Sequence, residues 1–363
     1  MTRYLLAGGG TAGHVNPLLA VADRLRELEP ESEFTVLGTA DGLEARLVPE
    51  RGYELATIEK VPMPRKIGRN MLRFPGRFVK AVREIRTLIT DREIDVVVGF
   101  GGFVSAPAYV AAWREKTPIV IHEANTVPGF ANRLGSRLTT FVGVAFEGTR
   151  LRNSRFVGMP IALALEQLDP LALRDEAVRH FGFEKHSRVL LVTGGSMGAR
   201  TINDTVTESV SHILAAGWSV LHITGNRSDL SESTTPGYRV IRYCDRMDLA
   251  LAAAQFVIAR AGSATVSELT ALGIPAAYVP LPIGNGEQAQ NARGVVDAGG
   301  AIVVDNSHFT PHWVKEVLVP LLQDSGATSD LAAGAATVGR RDGTARTVEL
   351  VLESLAHEPK SAT

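Results

Sequence analysis

Leu5-Leu6-Ala7-Gly8-Gly9-Gly10-Thr11-Ala12-Gly13-His14-Val15-Asn16-Pro17 is the stretch whose reading decides the fold. An apolar run ends in glycines and passes into a helix start, so it reads as strand, turn and helix, with one histidine where the backbone opens. Glycines admit positive φ and let an oxygen-rich ligand approach backbone N–H groups, while the helix N-terminus favours negative charge. The turn is a candidate anion or sugar-phosphate loop, and His14 a candidate proton acceptor.

Outward from this turn, Tyr4–Ala7 is a short apolar strand, and Leu18, Leu19, Ala22, Leu25 and Leu28 recur at helical spacing. Phe34–Leu37 is the next strand, which completes a βαβ opening. Gly8, Gly10 and Gly13 satisfy the G-x-G-x-x-G pattern of dinucleotide-binding turns, which also asks for an acid closing the second strand. Gly38-Thr39 stands there and Asp41 comes late, which argues against a nicotinamide site.

The chain has 363 residues, too many for one ordinary core, and fits two domains of typical size. Lysine plus arginine number 38 against 39 aspartate plus glutamate, so overall charge gives no attraction for nucleic acid. One cysteine, Cys244, excludes an intrachain disulfide, leaves too few thiolates for a zinc or iron–sulfur site and fits a reduced cytoplasmic setting. Met1-Thr2-Arg3 runs directly into a strand, and no apolar run approaches the ~20 residues of a membrane span, so neither export nor a transmembrane helix is expected.

From Arg65 to Arg86 the character changes. Arg65, Lys66, Arg69, Arg73, Arg77, Lys80, Arg83 and Arg86 stand with a single acid, Glu84, interleaved with Ile67, Met71, Leu72, Phe74, Phe78 and Val79. Such a segment suits an anionic membrane surface, where each cation adds roughly 1 kcal/mol and apolar groups enter the interface. The alternative is a solvated helix face whose apolar side is core.

Asp95–Val98 is a buried strand followed by Gly99-Phe100-Gly101-Gly102-Phe103-Val104-Ser105-Ala106-Pro107, and Pro118–Ile121 is another, ending in His122-Glu123-Ala124-Asn125. Ligands bind at the carboxyl ends of strands in open α/β sheets, so these stretches and the opening turn should line one crevice. Phe141–Val144 and Arg155–Val157 complete the first sheet, and Gly158-Met159-Pro160 reads as a hinge.

Beyond it, strand Arg188–Val192 leads into Thr193-Gly194-Gly195-Ser196-Met197-Gly198-Ala199. An offset of 185 residues lays Gly9–His14 over Gly194–Ala199, two strand–turn–helix units of the same pattern. Ala199 takes the place of His14, which hints that the histidine serves chemistry, although a packing histidine could occupy either site. Gly194-x-Ser196-x-Gly198 also matches the nucleophile elbow of α/β-hydrolases, but His222, His308 and His312 do not sit in glycine-rich turns and the first half would go unexplained. Further strands, Val220–Thr224, Tyr238–Ile241, Gln255–Ala259 and Ala276–Val279, end in Tyr243-Cys244, Arg260-Ala261-Gly262-Ser263-Ala264-Thr265-Val266-Ser267-Glu268 and the amide-rich Gly286-Glu287-Gln288-Ala289-Gln290-Asn291. Free N–H groups at Ser263–Thr265 suit phosphate, and Glu268 suits vicinal ribose hydroxyls; an N-cap serine with a first-turn acid is the plain alternative. The amide-rich loop suits sugar hydroxyls or is simply solvated. Thr344–Leu355 is a last helix packing back toward the hinge.

Together these motifs resemble the MurG family of peptidoglycan glycosyltransferases over nearly the whole chain: Gly9–His14 with Asn16-Pro17, Gly101–Ser105, His122–Asn125, Gly194–Arg200, Arg260–Glu268 and Glu287-Gln288 before Asn291-Ala292. The resemblance implies an α/β fold of two doubly wound Rossmann-like domains facing a cleft, the GT-B arrangement. Its acceptor and membrane-facing domain is expected at 1–160, joined by the last helix at about 344–356, and its donor domain at 161–343.

It further implies inverting transfer of N-acetylglucosamine from its uridine diphosphate donor to the 4-hydroxyl of a muramoyl sugar on a polyprenyl-diphosphate-linked pentapeptide, in cell-wall synthesis. His14 is the expected base. Donor contacts are expected from Thr11, Ala12, Gly13, Asn125, Ser196, Tyr243, Cys244, Ser263, Ala264, Thr265, Glu268, Glu287 and Gln288, and acceptor contacts from Gly101, Gly102, Ser105 and Glu123. A lipid-linked acceptor favours the membrane reading for Arg69, Met71, Leu72, Arg73, Phe74, Arg77, Phe78 and Trp113, with anionic inner-leaflet lipid as partner and a peripheral place on the cytoplasmic face. No Asp-x-Asp motif is present, so no tightly bound metal or cofactor is expected, and any divalent ion would not be held by a protein motif. Where the family commonly carries an arginine after the hinge proline, this chain has Ile161-Ala162; glutamine is usual at Met197, Glu287 and Ala124, and glycine at Ala12. A sugar-nucleotide epimerase on the same scaffold and a non-catalytic membrane-associated binding protein are the alternatives.

Overall fold

The computed structural model describes residues 1–61, 69–282 and 286–357. The chain divides into two compact units, Met1–Leu163 with Asp342–Thr363, and Ala164–Arg341. In the first, seven strands, β1 (Arg3–Gly8), β2 (Glu33–Gly38), β3 (Glu54–Thr57), β4 (Val96–Gly101), β5 (Ile119–Glu123), β6 (Phe141–Val144) and β7 (Ser154–Phe156), form a parallel sheet in the order β3-β2-β1-β4-β5-β6-β7. In the second, β8 (Arg188–Thr193), β9 (Trp218–Ile223), β10 (Tyr238–Ile241), β11 (Ala254–Ala259), β12 (Ala276–Tyr278) and β13 (Ala301–Val303) form another, in the order β10-β9-β8-β11-β12-β13. The edge strands Glu54–Thr57 and Ala301–Val303 carry no long apolar run, and only their pairing with β2 and β12 reveals them.

Strand alternation sends side chains to opposite faces, and both faces of the first sheet are covered. Tyr4 and Leu6 pack with Leu18, Leu25 and Val351, from helices Ala12–Leu28 and Gly343–Ala356. Leu5 and Ala7 pack with Val82, Ile85, Ile89 and Ala108, from helices Arg69–Asp91 and Ser105–Glu115. Each fully buried leucine or valine contributes roughly 1.5–3 kcal/mol, so the apolar runs flanking the opening turn fix where that turn projects.

The first unit runs past Pro160. Ile161 is buried and its carbonyl accepts a 2.9 Å hydrogen bond from the Thr344 hydroxyl at the start of the last helix. An added Cβ at Gly343 would strike the Met159 backbone, so chain exit and chain return are packed together.

In both sheets the first strand of the unit lies between its second and a later one, so the strand order reverses beside β1 and beside β8. Ligands bind at such switch points, at the carboxyl ends of the strands. The loops to examine are those after β1 and β4, and those after β8 and β11.

Candidate active site

β1 and β4 end in register, Gly8 beside Gly101, which brings the opening turn against the Gly101–Ser105 loop. Gly101 and Gly102 have φ of +96° and +87°, a region side-chain-bearing residues rarely adopt. An added Cβ at Gly102 would lie 2.6 Å from the Gly9 carbonyl oxygen, and one at Gly101 would lie 3.1 Å from His14 Nε2. Both glycines are needed for the two loops to meet around the imidazole.

His14 lies in the first turn of helix Ala12–Leu28, whose N-cap position is the exposed Thr11. Its Nδ1 is 3.1 Å from the Gly9 carbonyl oxygen and 3.2 Å from Thr11 Oγ1. A carbonyl oxygen only accepts, so Nδ1 carries the proton and Nε2 of the neutral ring presents its lone pair. That is the tautomer a general base needs.

The same turn is backed by a buried carboxylate. Glu44, in helix Glu44–Glu50, is fully buried and accepts hydrogen bonds from Gly10 N at 2.9 Å, Thr39 N at 2.9 Å and the Thr39 hydroxyl at 2.8 Å. Burial pushes its carboxyl up, but the donors of Gly10, Thr39 and its own backbone outweigh that and hold it below the ordinary carboxylate value. A buried carboxylate therefore already takes the Gly10 N–H and puts negative charge behind the turn, which argues against both the dinucleotide and the generic phosphate-loop readings. Sequence reasoning passed over Glu44; its signal was the run Gly38-Thr39-Ala40-Asp41-Gly42, small and polar residues that leave room for a returning side chain.

Two expected acceptor contacts change role. Ser105 is fully buried and its hydroxyl donates toward the carbonyls of Gly101, at 2.7 Å, and Ala7, at 3.0 Å. Glu123 is buried, with Oε1 accepting from Asn125 N at 2.9 Å and Oε2 from Gly129 N at 3.0 Å and Asn132 Nδ2 at 2.9 Å. Neither is presented to a ligand: Ser105 ties its loop to β1, and Glu123 shapes the turn that carries the partly exposed Asn125.

The second unit is arranged differently. β8 and β11 end in register, Thr193 beside Ala259. Gly195, like Gly10, has positive φ and open space around it, but its N–H donates to the neutral Thr193 hydroxyl at 3.2 Å; Ser196 and Met197 are exposed, and among the described residues their N–H groups have no intramolecular acceptor. After β11, helix Ser263–Ala271 leaves the N–H groups of Ser263, Ala264 and Thr265 without helical acceptors, as any helix start must. Glu268, one turn on, is partly exposed with no hydrogen-bond partner among the described residues, and its burial pushes the carboxyl up to about 7. The Arg260 guanidinium is half-buried and among the described residues donates only to neutral acceptors, Val279 O at 2.9 Å, Pro280 O at 3.2 Å and Asn306 Oδ1 at 2.7 Å, with no carboxylate there to compensate its charge. Tyr243 is exposed, whereas Cys244 is buried and its thiol is pushed up to about 11, which keeps it neutral. Glu287 and Gln288 open helix Glu287–Asp297, and Gln288 Oε1 accepts from Leu281 N at 2.8 Å, which leaves its amide N–H groups for other partners. Among the described residues, no three His, Cys, Asp or Glu side chains gather as a metal set.

Residues 4–144 match the model of the glycosyltransferase family 28 N-terminal domain, and residues 189–346 that of its C-terminal domain. A Leifsonia xyli subsp. xyli protein named UDP-N-acetylglucosamine–N-acetylmuramyl-(pentapeptide) pyrophosphoryl-undecaprenol N-acetylglucosamine transferase is 57% identical over 356 residues, 98% of this chain and 99% of that protein. The crystal structure of Acinetobacter baumannii MurG matches with a TM-score of 0.80 at 26% identity, over 97% of this chain and 100% of that one. The chain belongs to the MurG family. A Clavibacter sepedonicus protein of the same name is 54% identical, over 99% of this chain and 98% of that protein.

In this MurG-family chain the basic segment is partly a packed helix. Helix Arg69–Asp91 is described, but Arg65, Lys66 and Ile67 lie outside the described residues, as do the side chains of Arg69, Met71, Leu72 and Arg73. Phe78 is partly buried against the Val82–Ile85–Ile89 core, and its ring lies tilted to that of Phe74 with centroids 5.7 Å apart, so part of this residue serves packing. Arg77 pairs with Glu59 at 2.7 Å, Lys80 with Glu84 at 3.7 Å and Arg86 with Glu115, so Glu59 and Glu115, distant in sequence, join Glu84 in offsetting the run. Val79, Arg83 and Trp113 stay exposed. Among the described residues no helix is long and apolar enough to cross a membrane.

Proposed function

We propose that the chain transfers N-acetylglucosamine from UDP-N-acetylglucosamine to the 4-hydroxyl of an undecaprenyl-diphosphate-linked N-acetylmuramoyl-pentapeptide. The observation that carries this is the His14 tautomer, with Nδ1 donating to Gly9 and Nε2 open. Nε2 takes the acceptor hydroxyl proton as that oxygen bonds to the anomeric carbon, and the bond from this carbon to the diphosphate oxygen breaks with inversion. The leaving diphosphate keeps the electron pair. The open N–H groups of Ser196, Ser263, Ala264 and Thr265, with the uncompensated charge of Arg260, stabilise it. Glu268 takes the ribose hydroxyls, Tyr243 and the Cys244 backbone flank uracil, and Glu287 and Gln288 read the sugar. Thr11, Ala12, Gly13 and Asn125 complete the contacts to the transferred group, and the Gly101-Gly102 backbone receives the acceptor. The scheme calls on no protein-held metal and no nucleic acid.

The first unit also meets the cytoplasmic face of the membrane, through the start of helix Arg69–Asp91 and the exposed Trp113. Arg77 is engaged with Glu59, so reversal of Arg69, Arg73 and Arg83 to glutamate is the cleaner test. It should lower binding to anionic vesicles with UDP affinity unchanged, and unaltered vesicle binding would refute this surface.

The deciding assay incubates radiolabelled UDP-N-acetylglucosamine with the lipid-linked acceptor in vesicles. Label should move to the lipid fraction. Donor conversion without acceptor would make the chain an epimerase, donor and lipid binding with no label moved a binding protein, and labelling of Ser196 by a serine-directed phosphonate a hydrolase.

A further inference from the structure

We propose that Glu44 is a positioning residue for the transfer reaction: it holds the Gly9–Gly10 peptide group, and that peptide orients His14. The inference rests on the reading of His14 as the base. Glu44 Oε2 accepts from Gly10 N at 2.9 Å, and His14 Nδ1 donates to the Gly9 carbonyl oxygen at 3.1 Å. These are the two ends of one peptide group. A trans peptide is planar with its N–H and C=O pointing in opposite directions, so anchoring the N–H on one side aims the carbonyl at the other. The chain carboxylate, peptide, imidazole then runs without a break, and each hydrogen bond polarises the next.

The site demands a carboxylate. Gly10 N, Thr39 N and the Thr39 hydroxyl all donate to it, and among the described residues no cation pairs with it. A glutamine would aim its amide N–H groups at donors. The backbone is also cut away to admit the side chain, since an added Cβ at Gly9, Gly38 or Gly42 would overlap it. A helix stabilised merely by a first-turn acid would need neither the burial nor the bond to a loop 34 residues away.

The test is 15N NMR of the His14 imidazole in the full-length protein, beside turnover with the lipid-linked acceptor. Wild type should show the Nδ1–H tautomer. Glu44→Gln should populate both tautomers and lose about 10- to 100-fold in kcat, the scale of a small misplacement of a reacting group, with UDP affinity within about twofold of wild type. Should Glu44→Gln fail to fold, Glu44→Asp keeps the charge but cannot reach Gly10, and the same shift is expected. A wild-type tautomer signal in either folded variant would overturn the positioning. Full turnover in His14→Ala would instead overturn the base assignment, and with it the catalytic consequence of the Glu44 contact.

Discussion

The loops after β1 and after β8 share a pattern of glycines and a place in their sheets, yet a buried carboxylate backs the first and a neutral hydroxyl the second. In the first, the Glu44 carboxylate accepts from Gly10 N and the next helix turn carries His14; in the second, the Thr193 hydroxyl accepts from Gly195 N and Ala199 takes the histidine's place. A negative charge buried in the first turn repels a diphosphate, whereas bare amides and the uncompensated Arg260 attract one. On the proposed mechanism, equivalent topology serves proton transfer in one unit and anion binding in the other. Similar backbone does not imply similar ligand; the side chain that fills the turn decides.

The comparison breaks most visibly if His14 is dispensable. His14→Ala should lower kcat by roughly 10²- to 10⁴-fold, the usual contribution of a general base, while UDP affinity measured by calorimetry stays the same. A crossed pair of glycine variants sharpens it. Gly102→Ala, at φ +87° and 2.6 Å from Gly9 O, and Gly225→Ala, at φ +86° and overlapping Gly198, each impose about 1–3 kcal/mol of strain. Steady-state kinetics should find the first loss of about 10- to 100-fold in kcat and the second, of similar size, in donor KM. Both in the same constant would erase the distinction.

Glu268 gives a smaller, pH-dependent effect. The carboxylate is the form that accepts two ribose hydroxyls, and its pKa in the free protein is pushed up to about 7. Donor affinity should therefore rise with pH up to about 7 and flatten above it, falling about tenfold from its plateau at pH 6. Glu268→Gln should bind UDP about tenfold more weakly above pH 7 and lose this pH dependence. Smallest is chelation: because diphosphate stabilisation is assigned to protein groups, EDTA should reduce transfer by no more than about threefold, on the scale of one weak interaction.

The motifs themselves were legible because each lies within one turn of chain: strand, glycines and helix start follow in order at Gly8–His14, Gly194–Ala199 and Arg260–Glu268. What escaped the sequence joins residues that only folding brings together. Glu44 meets Gly10, Glu59 meets Arg77 and Glu115 meets Arg86, none of them at a helical or strand period. Ser105 and Glu123 show the converse. Their motifs were legible, but only burial and hydrogen bonding separate a residue that touches a ligand from one that holds the loop which does.

The most direct measurement follows backbone amide shifts of the 15N-labelled protein as UDP alone is titrated in. Shifts at Ser196, Met197, Ser263, Ala264 and Thr265, with Gly9 and Gly10 unmoved, are the expected result. Shifts at Gly9 and Gly10 with none at Ser263–Thr265 would contradict the assignment of the diphosphate to the open loops.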